Sequence, residues 1–200
     1  GTTDTFTVVL DAQPASNVVI SVTSGDTGET TVSPATLTFT SGNWDSAQTV
    51  TVTGVNDSLI DGSQNTTITM SVVDGSSDDS FDSLNDQTVT VSTADNDTAS
   101  FTVVQSGGST SVAESGTTDT FTVVLGAQPT SDVTLSVTSG DTGEATVSTE
   151  TLQFTSGNWN SAQTVTVTGV NDNLIDGSQN TTITVSVVDA ISNDSFDSLN

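Results

Sequence analysis

The chain has 200 residues, 25 of them Asp or Glu, and no Lys, Arg, His, Cys or Tyr, for a formal net charge of −25. Without side-chain cations it has no phosphate clamp and no basic face, so nucleic acid and anionic membranes are not expected partners. Without His or Cys it has no usual zinc site, no disulfide and no His-activated nucleophile, and no apolar run approaches the ~18 residues of a membrane span.

Acidity of this degree often signals disorder, but only 12% of the residues are charged and 32% are hydrophobic. The apolar residues alternate with Thr and Ser, which is strand composition. In chain order, Phe6, Val8 and Leu10 are expected to face a core and Thr5, Thr7 and Val9 to face away. Val50 and Val52 alternate with Thr49, Thr51 and Thr53, and Ile68, Met70 and Val72 with Thr67, Thr69 and Ser71. A strand is expected over 87–93. Another is expected over 100–112, broken at Gly107-Gly108. Further strands are expected over 120–125, 133–138, 151–155, 163–170 and 181–188. No helical pattern of useful length occurs. Short strands with one apolar face and Gly/Asp/Asn/Ser turns indicate an all-β protein of antiparallel β-sandwiches. An ice-binding threonine array would need Thr-x-Thr ranks aligned across several strands.

Residues 1–85 recur without a gap as 116–200; 15 of the 85 pairs differ, and 86–115 occur once. The offset of 115 residues divides the chain into a sandwich at 1–98 that lacks its first strand and one at 99–200 that lacks its last. Gly1 reads as an internal or processed end. A window on a longer tandem array accounts for both incomplete ends; separate chains that donate strands to one another are the alternative. After Asp97 about three residues are expected outside strands before the next strand begins, which makes a stiff link.

The acids gather in 25–29, in 56–62 and in Asp95-Asn96-Asp97. The second copy repeats them as Asp141 and Glu144, and as Asn171, Asp172 and Asp176, and adds Glu114. Two carboxylates ~4 Å apart repel by about 4 kcal/mol at an effective dielectric of 20. With no Lys or Arg to relieve this, a divalent cation is the remaining partner. Oxygen-only ligands suit Ca²⁺ rather than a transition metal. The competing reading is that Asp, Asn and Gly stand here as ordinary turn residues.

Glu114-Ser115-Gly116, Leu152-Gln153-Phe154-Thr155, the run from Thr164 to Asp172 and the closing Asp95-Asn96-Asp97 together resemble the Calx-β pattern. Glu29 to Pro34, Leu37-Thr38-Phe39-Thr40, Asn43-Trp44, Gln48 to Val55 and Asp61-Gly62 are similar to the tandem Calx-β-like repeats of large bacterial adhesins. The resemblance implies a Greek-key, immunoglobulin-like sandwich with calcium at one end of each domain. Carried over by position, it implies ligands Glu29, Asp57, Asp61, Asp95 and Asp97, with Asn56 and Asn96 as weaker ones. In the second copy it implies Glu114, Glu144, Asp172 and Asp176, beside Asn171. The chain departs from the family at Asn56-Asp57 and Gln64, where an Asp pair and a later Glu are usual, so fewer or weaker ions are expected.

The expected function is a calcium-stiffened structural repeat of an extracellular bacterial adhesin, surface layer or filament, partnered by neighbouring repeats or other copies of itself. A carbohydrate- or protein-binding module built on Trp44 is the alternative; a Trp cap over the core end is the plainer reading of Trp44 and Trp159. Strand exchange into a non-covalent filament is a further alternative. No enzyme is expected: a paired-carboxylate glycosidase needs positioning groups, and the chain has two Trp, no Tyr and no Arg. Five matches to the N-glycosylation pattern, at Asn56, Asn65, Asn96, Asn180 and Asn193, are what a Thr-, Ser- and Asn-rich chain produces by chance.

Overall fold

A computed structural model describes residues 1–175 and 177–199. The chain divides into two compact units. One comprises Gly1–Asp57 with Asp61–Asp95; the other comprises Ser58–Ile60 with Asn96–Asn200. Both are sandwiches of two antiparallel sheets.

The first unit contains β1 (Thr3–Val8), β2 (Val18–Ser24), β3 (Thr30–Ser33), β4 (Thr36–Phe39), β5 (Gln48–Gly54), β6 (Gln64–Val72) and β7 (Gln87–Thr93). Its sheets run β1–β5–β3 and β4–β2–β6–β7. The residues predicted to face inward form the core: Val18, Phe39, Val50 and Ile68 are fully buried. The outward threonines fall into rank, because antiparallel register sets like beside like. Thr3 and Thr31 flank Thr53, Thr5 and Ser33 flank Thr51, and Thr7 pairs with Thr49. Such ranks also follow from β-propensity and from the need for a wet face without charges, so they carry no function on their own.

The second unit contains β8 (Phe101–Gln105), β9 (Thr118–Leu125), β10 (Val133–Ser139), β11 (Ala145–Val147), β12 (Thr151–Phe154), β13 (Gln163–Gly169) and β14 (Ile183–Val187). Its sheets run β11–β13–β9–β8 and β12–β10–β14. Val123, Leu135, Val137, Phe154 and Val165 are fully buried. A short 3-10 helix, Asp194–Leu199, adds the fully buried Phe196.

Two expectations are corrected. The strand predicted over 100–112 ends at Gln105. Gly107 and Gly108 both take positive φ (61° and 84°) and turn the chain out of the sheet, and no strand forms over 109–117. Asp119 holds that turn: its carboxylate accepts the Ser106 hydroxyl, the Ser111 N–H at 2.8 Å and the Thr120 N–H at 2.7 Å. The short strands β3 and β11 were not anticipated; four and three residues are too few for alternation to show. After Asp97 three residues, 98–100, precede β8, the number expected.

Candidate metal centre

In the first unit, local hydrogen bonding brings the acidic turns to the ends of three strands. The turn before β3 is capped by its own Asp26, whose Oδ1 accepts the Gly28 N–H at 2.9 Å and whose carbonyl accepts the Thr30 N–H at 3.0 Å. Glu29 follows. Its carbonyl accepts the Val55 N–H at 2.8 Å, just beyond β5, and the Thr93 hydroxyl at 3.2 Å, at the end of β7. The buried Thr30 hydroxyl lies 2.9 Å from that of Thr93. These bonds place Glu29 where β3 begins and β5 and β7 end.

The other acids stand just beyond β5 and β7 and just before β6. Asn56 and Asp57 follow β5, and the Asn56 amide donates to the Asp57 carbonyl at 2.9 Å. Asp61 precedes β6, its carbonyl accepting the Gln64 side-chain amide at 2.9 Å. Asp95 follows β7, and its Oδ2 accepts the N–H of Gly62 at 2.9 Å. Gly62 has φ +73°, a conformation that glycine adopts without strain.

Electrostatics ties the group together. The Glu29 carboxyl is held above its ordinary value, first by partial burial and then by the charges of Asp61, Asp57, Asp26 and Asp95. Four of those five residues are predicted ligands; the fifth, Asp26, was judged only a neighbour of the loop. Of the remaining first-copy ligands, Asn96 and Asp97 fall with the second unit. Among the described residues, no set of three acidic side chains converges closely enough to hold a metal as it stands. Mutual repulsion keeps uncompensated carboxylates apart. The donor set nonetheless fits a hard cation: oxygen atoms only, from carboxylates, Asn and backbone carbonyls.

The second unit repeats the turns. Asp141 Oδ1 accepts the Gly143 N–H at 2.9 Å, and the Glu144 carbonyl accepts the Val170 N–H at 2.9 Å. Asn171 and Asp172 follow β13, and Asp172 Oδ1 accepts the Leu174 N–H at 2.8 Å. Glu114 is partly buried and lines one groove with Glu144. Asp176 lies outside the described residues.

Sequence reasoning passed over a second acidic group, at the far end of β6. Asp78 is buried; its carboxylate accepts the N–H groups of Ala15 (2.8 Å), Ser16 (3.0 Å) and Ser80 (3.0 Å). These bonds, led by those from Ser16 and Ser80, lower its pKa to about 2. Beside it Asp82 is raised, first by burial and then by Asp74, Asp79 and Asp78. In the second unit Asn193 takes the place of Asp78 and donates to the hydroxyls of Thr130 (2.7 Å) and Ser131 (3.1 Å). Trp44 and Trp159 are half-buried and pack against the two cores.

Fold and site thus describe an all-β protein of sandwich units, each with an acidic end. No family model matches the chain, and no curated protein does. Among solved structures it is similar to a protein of unknown function from Porphyromonas gingivalis W83, at 10% identity and a TM-score of 0.32. That likeness covers 84% of this chain and 76% of the other.

Proposed function

We propose that these units are Calx-β-like structural repeats of an extracellular bacterial surface protein, such as an adhesin stalk, surface layer or filament, stiffened by calcium and without catalytic activity. The observation that carries the reading is the group around Glu29: five carboxylates at one end of a sandwich, in a chain with no side-chain cation. Calcium would be held by Glu29, Asp57, Asp61 and Asp95, with Asp26 adjoining, and in the second unit by Glu144, Asp172 and Glu114. It supplies the positive charge that lets these acids approach one another. Near-identity of the two copies favours a role in length and stiffness over a different task for each. Neighbouring repeats are the natural partners.

Calorimetric titration with calcium, paired with melting in calcium and in chelator, tests the reading. With a dissociation constant of ~0.1 mM and calcium at ~10 mM, each site adds about 2.7 kcal/mol. Glu29→Gln with Asp61→Asn should abolish the first unit's share. Melting that is the same in chelator and in calcium at low salt, with no heat of binding, would overturn the proposal.

A further inference from the structure

One sequence occurs twice and pairs differently. Residues 64–72 and 179–187 are identical except for Met70 against Val185. In the first unit this stretch forms the nine-residue β6, paired with β2 on one side and β7 on the other. In the second it forms only the five-residue β14, and β10 is its one neighbour among the described residues. Burial follows the pairing. Thr66, Ile68 and Met70 are buried, at 2%, 0% and 9% exposed, whereas Thr181, Ile183 and Val185 are only partly so. Where a counterpart of β7 would lie, the second unit has a groove of about 1030 Å³, walled by Phe101, Val103, Phe121, Val167, Ile183 and Val185.

We propose that this groove is an acceptor site for one extended strand of the β7 type, Gln87–Thr93, carried by a further copy of the repeat. The first unit shows how it is occupied. β7 lies antiparallel to β6 with Thr93 opposite Gln64 and Gln87 opposite Met70, and Val89 and Val91 pack on the core while Thr88, Thr90 and Ser92 point away. Transferred to the second unit, that register sets Val91 opposite Thr181, Val89 opposite Ile183 and Gln87 opposite Val185. Main-chain pairing along β14 supplies affinity, and two inward valines supply specificity. A slip of one residue would turn threonines into the apolar wall. Two residues further on, the counterpart of Asp95 reaches Gly177, whose φ of +76° matches the +73° of Gly62, the residue that bonds Asp95 in the first unit. The inference stands apart from the calcium reading, and its test is run in chelator.

The full chain is extended at its C-terminus by a flexible Gly/Ser linker and the segment Asp86–Asp95. The tether sets an effective concentration in the millimolar range. Hydrogen exchange is followed at residues 180–185, and unfolding by Trp159 fluorescence in a Trp44→Phe background. The added strand should slow exchange at those amides by about tenfold or more and raise the second unit's midpoint alone. The same extension with Val89→Thr and Val91→Thr should do neither. A second unit that folds only when the strand is attached would equally support the proposal. Exchange unchanged by the tethered strand, or equal effects of the Val and Thr versions, would overturn it.

Discussion

Phe6 and Phe121 are the same residue of the repeat, yet only one has a strand outside it. Phe121 is 4% exposed because β8 pairs along β9, setting Gln105 opposite Phe121 and Phe101 opposite Leu125. Phe6 stands on β1, whose one paired neighbour among the described residues is β5, and it is only partly buried. Truncating a buried Phe removes its transfer free energy and leaves a cavity, together about 4 kcal/mol. At Phe6 less area is recovered and the gap opens to water, so the expected loss is about 2 kcal/mol. The chain supplies its own reporters: Trp44 and Trp159 are its two Trp, and it has no Tyr. Urea unfolding of Phe121→Ala in a Trp44→Phe background reads the second unit, and Phe6→Ala with Trp159→Phe reads the first. At a slope of about 1.5 kcal/mol per molar urea, the midpoints should fall by about 2.7 M and 1.3 M. Losses equal within about 0.5 kcal/mol would refute the claim that the neighbouring strand, not the residue, sets the burial.

Glycine separates the units in the same way: a Cβ on Gly169 would come within 2.2 Å of the Ala113 carbonyl oxygen, whereas one on Gly54 meets nothing closer than 3.4 Å. Gly169→Ala should therefore cost about 2 kcal/mol and Gly54→Ala much less, as read from the same single-Trp chains. Asp78 has a depressed pKa, so the stability it confers is complete above the unfolded value of 3.8 and is lost as pH falls toward about 2. Acid titration of the first unit should show this loss and Asp78→Asn should remove it; the same step in the second unit, which has Asn193, would contradict the assignment. Glu29 has a raised pKa, so its ionisation opposes folding at neutral pH, and the strain is relieved as pH falls through the raised value toward 4.5. In calcium-free, low-salt buffer Glu29→Gln should stabilise the first unit at pH 7 and flatten its pH profile between 7 and about 4.5; a lower melting temperature for the variant would count against mutual repulsion at this site.

Sequence alone determined the inward face of almost every strand, the repeat and the gathering of acids into turns. Those signals are local: alternation at period two is written in six or seven consecutive residues, and turn chemistry in four. The class of fold followed from them. Tertiary structure decided what lies beside each strand. Gln-Asn-Thr-Thr-Ile-Thr is strand throughout at 64–69, with Thr66 and Ile68 buried, and mostly non-strand at 179–184, because β7, 19 to 29 residues away in sequence, pairs with the first and, among the described residues, no counterpart pairs with the second. The same kind of non-local pairing brought Asp57, Asp61 and Asp95 to Glu29, and made strands of Thr30–Ser33 and Ala145–Val147. A side chain's charge and polarity belong to its position in the chain, but its burial and its pKa belong to whatever the fold packs against it.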